Sequence, residues 1–158
     1  MYALFVIATT VVLPILSTAA EAVFRPDTSL LFLLGKWFVV WAVGVRLFLA
    51  GLRQATQPGF TASEILGIKA PGAETVVSEL GFANLSLGLV GLLSLLWPEW
   101  TAPAALAGGM FLGLDGVQHA RRGGRNAKET IAMATDLFVA AVLAVSFLAW
   151  LIGRDGAA

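Results

Sequence analysis

Glu79-Leu80-Gly81-Phe82-Ala83-Asn84-Leu85-Ser86-Leu87-Gly88-Leu89-Val90-Gly91 sets a carboxylate and an amide into a segment otherwise fit for lipid or a protein core. Its spacing places Gly81, Asn84, Gly88 and Gly91 on one face of a helix. Small residues in such a stripe let a second helix approach closely, and Asn84 is then expected to hydrogen-bond across the contact. An ionisable group such as Glu79 is costly in hydrocarbon, so it calls for a partner or a proton. The stretch reads as a membrane-spanning helix facing a polar interior.

The rest of the chain agrees. Its 158 residues are 58% hydrophobic and 13% charged, with a mean hydropathy of +0.86, too apolar for an ordinary soluble domain. The reading is a single all-α domain, 1–158. A formal net charge of zero leaves no basic face for nucleic acid. With no cysteine there is neither a disulfide framework nor a thiolate metal site. No Gly-rich phosphate loop or nucleophile elbow occurs, so no catalytic residue is assigned and no cofactor is indicated.

Outward from the central stretch, the pattern predicts five spans, at about 2–24, 30–53, 73–97, 102–120 and 127–153, each long enough for the hydrocarbon. The first is read as a retained helix bent at Pro14, because no cation precedes its apolar run. Between spans two and three, Phe60-Thr61-Ala62-Ser63-Glu64-Ile65 predicts a short interfacial helix. Thr61 and Glu64 would form its capping box, with Phe60 packed on Ile65. The turn Trp97-Pro98-Glu99-Trp100 makes spans three and four an antiparallel hairpin. The small stripe of Ala105, Gly109 and Gly113 is expected to meet the glycines of span three. Asn126 and Glu129 form an Asn-x-x-Glu capping box that starts span five.

Arg121, Arg122, Arg125 and Lys128 make the 121–128 loop the most basic of the chain, and so cytoplasmic. Counting spans from it predicts a multi-pass membrane protein, N-terminus in the cytoplasm and C-terminus outside.

Lys36-Trp37-Phe38, Val43-Gly44-Val45-Arg46, Gly51-Leu52-Arg53-Gln54 and above all Glu79-Leu80-Gly81-Phe82-Ala83-Asn84-Leu85 carry a resemblance over about the middle two-thirds of the chain. They resemble an uncharacterised family of small bacterial inner-membrane proteins, loosely similar to DoxX-like proteins in size and bundle. The resemblance implies the location and no activity.

Depth along the helices supplies the candidate site. Arg46, Glu79, Asp115 and Asp136 fall roughly 5–10 Å to the cytoplasmic side of the midplane, on four helices. His119 sits one turn beyond Asp115, and Asn84 lies close to the midplane. On the other side Glu21 and Lys36 reach similar depths, as a structural pair. Three carboxylates against one arginine suit either a buried register-fixing network or a proton relay, cation site or head-group site. Asp115 and His119 at i, i+4 offer two metal ligands, too few for a site, so no metal is assigned. Two functional classes follow: a binding or accessory protein, as a complex subunit or homo-oligomer among membrane lipids, and a small proton- or cation-coupled transporter. The absence of an inverted repeat favours the first.

Overall fold

The computed structural model describes residues 1–155, which form helices and no strand. Five long helices follow one another: α1 Tyr2–Phe24, α2 Leu30–Thr56, α3 Ala73–Leu93, α4 Thr101–Arg121 and α5 Ala127–Asp155. A six-residue helical segment, Phe60–Ile65, lies between α2 and α3.

Four of the helices, α1, α2, α3 and α5, are long and apolar enough to cross a membrane. Helix α4 has the length of a span at 21 residues, but it is rich in alanine and glycine and carries Asp115, Gln118, His119 and Arg121. The outward surface is apolar: Leu4, Leu16, Val76, Phe82, Leu114 and Leu148 are all exposed. Arg46, Asn84, His119, Glu129 and Asp136 are buried. This distribution suits lipid as the solvent, where the backbone is satisfied within helices and polar side chains turn inward.

Helix α2 is central. In its spanning window 56% of the residues are buried, against 28% in those of α1, α3 and α5. Its Phe38, Val39, Val43 and Leu47 join Leu112 of α4 and Val139 and Leu143 of α5 in the core.

Two helices widen locally to an i→i+5 pattern, α1 over Ala8–Val12 and α2 over Val39–Val45. In α1 the cause is in the sequence: Pro14 has no N–H, and its ring crowds the carbonyl four residues back. The Thr9 and Thr10 hydroxyls donate to carbonyls of the preceding turn, Thr10 to Val6 at 2.7 Å. At its other end α3 stops at Leu93 rather than 97, because the chain tightens into i→i+3 turns at Leu95 and Leu96.

The glycines pair differently from the expectation for spans three and four. A Cβ on Gly81 would come within 2.7 Å of the Ala55 nitrogen, and one on Gly91 within 2.7 Å of the Gly44 nitrogen. A Cβ on Gly88 would run into the backbone of Phe48. The stripe of α3 therefore seats on α2, which answers it with Gly44 and Gly51. Gly109 and Gly113 instead face Leu143 and Ala140 of α5, each at 3.2 Å from a built Cβ. Gly108 takes Val43, which leaves the α3–α4 contact slight.

The expected pair of Glu21 and Lys36 is bonded at 2.7 Å through both carboxylate oxygens, and Trp37 Nε1 donates to the same carboxylate at 2.7 Å. It ties α1 to α2 at the end opposite the basic loop.

Candidate functional site

Asn84 stands on the glycine stripe of α3, where close approach of the backbones brings it to α2. Its Nδ2 donates to Gln54 Oε1 at 2.6 Å, while its Oδ1 is buried without a donor. About two turns back along α2, Arg46 is 8% exposed, immediately after the widened stretch that ends at Val45. Its Nη2 lies 2.6 Å from Asp136 Oδ1, and Asp136 is 1% exposed. The contact is close but poorly aligned, so Asp136 Oδ1 has an ion-pair partner and no directed donor, and Arg46 Nη1 has no acceptor.

These groups line a cavity of about 350 Å³ that is bordered by all five helices and open on one side. Its polar wall holds Arg46, Gln54, Asn84, Asp115, His119 and Asp136; its apolar wall includes Phe5, Leu49, Leu80, Phe111 and Leu112. A volume of this size and a few convergent polar groups on an apolar lining are the ordinary features of a small-molecule site. A shallow groove between α3 and α4 shares Leu80, Phe111 and Asp115 with it, so Asp115 stands at a lateral mouth. The Asp115 side chain is accordingly 45% exposed.

His119 is buried one turn on from Asp115. Its Nε2 lies 3.6 Å from Asp115 Oδ2, and its Nδ1 lies 3.1 Å from Oε1 of Glu129, itself 2% exposed. In sequence Glu129 belongs to an Asn-x-x-Glu capping box. Half of that box exists, since the Glu129 amide donates to Asn126 Oδ1 at 3.0 Å. The Glu129 side chain turns inward to the imidazole instead of back to Asn126. The recognisable signal was incomplete: a capping motif in sequence does not say that a better partner lies ten residues upstream in space.

The end of the cavity is closed by the segment after α2. Thr61 is buried against it rather than capping a helix, and no side-chain cap bond forms there. Phe60 lies under the Arg53 guanidinium, 3.7 Å from ring centroid to Cζ, with Lys128 Nζ at 5.4 Å. Glu64 pairs with Lys128 at 3.2 Å. The basic loop clasps this segment: Asn126 donates to the Ile65 carbonyl at 2.8 Å and Arg122 to that of Leu66. Arg125 meanwhile caps α4 by donating to the carbonyls of His119, Ala120 and Arg122.

Glu79 is the correction. It is exposed on α3 and lines no part of the cavity, where Leu80 stands instead. Depth placed Glu79 level with Arg46, but face decides contact. Val77, Gly81, Asn84, Gly88 and Gly91 are the buried stripe, and Glu79 is two residues from Gly81, about 200° around the helix.

The family of unknown function DUF6790 matches residues 1–157, and the chain belongs to it. No curated protein and no solved structure matches the chain.

Proposed function

We propose that this member of a family without an assigned activity is a multi-pass membrane protein that binds a small amphiphile inside its bundle. The observation that carries the reading is a cavity lined by both Arg46 and Asn84, each with a buried polar atom that lacks a partner: Arg46 Nη1, which needs an acceptor, and Asn84 Oδ1, which needs a donor. Buried polar groups are nearly always satisfied, so such orphans call for a partner. A head group with an oxygen acceptor and an O–H or N–H donor answers both, and the apolar wall takes its chain.

Native mass spectrometry of the protein in mild detergent tests this. A bound amphiphile is expected on the wild type, with occupancy about tenfold lower in Asn84→Ala, in proportion to one lost hydrogen bond. A wild type that carries no small molecule, and gains no thermal stability from a membrane lipid extract, would refute it.

In this reading all five helices cross, although α4 is the least apolar. The support is connectivity: the 60–66 and 121–128 segments touch, so α3 and α5 start from the same end. If α3 and α5 span, α4 must return between them. The basic loop then lies in the cytoplasm with the N-terminus and the short Phe60–Ile65 helix at that interface. The resemblance to small bacterial inner-membrane proteins supports a location in that membrane. In sealed cells, an impermeant thiol reagent is expected to reach a cysteine at position 157 and not one at position 124; the reverse pattern would invert the topology.

A further inference from the structure

We propose that Asp115, His119 and Asp136 hold a divalent first-row transition-metal ion, with Glu129 orienting the imidazole from behind. This goes beyond the amphiphile reading and does not depend on it.

The ligands come from two helices. Asp115 and His119 stand one turn apart on α4, and Asp136 faces them from α5. One donor atom of each lies within 4.8 Å of the other two. Bonds of about 2.0–2.1 Å in a tetrahedron set the donors about 3.3 Å apart, so the three side chains must close by roughly 1.5 Å. They border a cavity and have room to do so.

The second shell is that of a metal site. The Nδ1 of His119 is directed at the buried Glu129, which leaves Nε2 on the side of Asp115. A carboxylate behind the distal nitrogen fixes the tautomer and raises ligand basicity. Glu129 is held in turn by Arg122 Nη1 at 3.6 Å. Two further buried side chains that line the same cavity, Arg46 and Asn84, carry a polar atom without a hydrogen-bond partner, Nη1 and Oδ1 respectively. Asp136 Oδ1 has the Arg46 guanidinium as its ion-pair partner at 2.6 Å and no aligned hydrogen bond. Asp136 faces Arg46, Glu129 faces Arg122 and His119, and Asp115 faces His119.

Two carboxylate oxygens and one imidazole nitrogen suit Mn²⁺, Fe²⁺ or Zn²⁺ rather than the softer Cu⁺. Three protein ligands leave a coordination position toward the cavity, as in sites that bind water or a ligand oxygen.

Cobalt titration of the full chain, stripped with chelator in detergent, tests the site. One Co²⁺ per chain is expected, with visible ligand-field absorption and displacement by Zn²⁺. Asp115→Asn is the informative variant, because Asp115 is half exposed and its loss should leave the metal-free melting temperature unchanged. Its Co²⁺ affinity should fall at least tenfold. Glu129→Gln should lower affinity about 10–100-fold, while Glu79→Gln, on the outer face of α3, should change nothing. Absence of saturable Co²⁺ binding to the wild type overturns the proposal whatever the variants do. So does wild-type affinity in both Asp115→Asn and His119→Gln, which would make the cluster an ion-pair network alone.

Discussion

Arg46→Met is expected to destabilise the bundle by about 3–5 kcal/mol, the cost of leaving a buried charge without its partner. Methionine keeps the length of the arginine stem and removes the guanidinium, so packing against Leu47 and the cavity wall is largely preserved. What remains is Asp136, 1% exposed, with its counter-charge gone and no donor on Oδ1. Asp136→Asn in the same chain should recover much of the loss, because the neutral amide no longer has to be ionised in an apolar surround. Arg46→Met with Glu79→Gln should recover nothing and add within about 0.3–0.5 kcal/mol, as independent sites do. The measurement is a double-mutant cycle of reversible unfolding in detergent. Additivity of Arg46 with Asp136 would mean that the 2.6 Å contact carries no energy.

Gly88→Leu is the second large effect, at about 3 kcal/mol, the upper end of overpacking costs. The neighbour of Gly88 is backbone at Phe48, not the tip of a flexible side chain, so α2 and α3 must move apart as rigid bodies to admit a side chain. Gly91 against Gly44 is seated in the same way, and Gly91→Leu should behave alike. Alanine separates this from a general effect of replacing glycine. In a helix, Gly→Ala gains up to about 1 kcal/mol from propensity. At Gly109, where the Cβ of Leu143 is the neighbour at 3.2 Å, a shift of a few tenths of an ångström suffices and that gain should offset the crowding. At Gly88 even alanine should destabilise. Thermal unfolding in detergent checks the order; unchanged melting temperatures for Gly88→Leu and Gly91→Leu would show that the two helices are not held at close range.

The primary structure by itself determined the five helices and the start of each to within a residue, because turns and apolar runs are local, whereas α2 and α3 end at Thr56 and Leu93 rather than at 53 and 97. It also determined that α3 has a glycine face and that Glu21 and Lys36 lie at one depth near a short turn, where few partners compete. Tertiary structure alone decided which face meets which. The glycines of α3 sit on α2, and Gly109 and Gly113 of α4 on α5, although the sequence neighbours α3 and α4 share a tight turn. Small stripes look alike in sequence, so their pairing depends on the whole bundle. Glu79 lay at the right depth and on the wrong side, an error the glycine stripe already contained the means to avoid. Asp136 lies ninety residues from Arg46, and no local pattern links them. Glu129 exchanged a capping role for the imidazole of His119. The widened turn at Val39–Val45 adds a further reason: it breaks the 3.6-residue register just before Arg46, so periodicity carried from the start of α2 cannot aim that side chain. Depth follows from rise along one helix, whereas direction follows from packing among five.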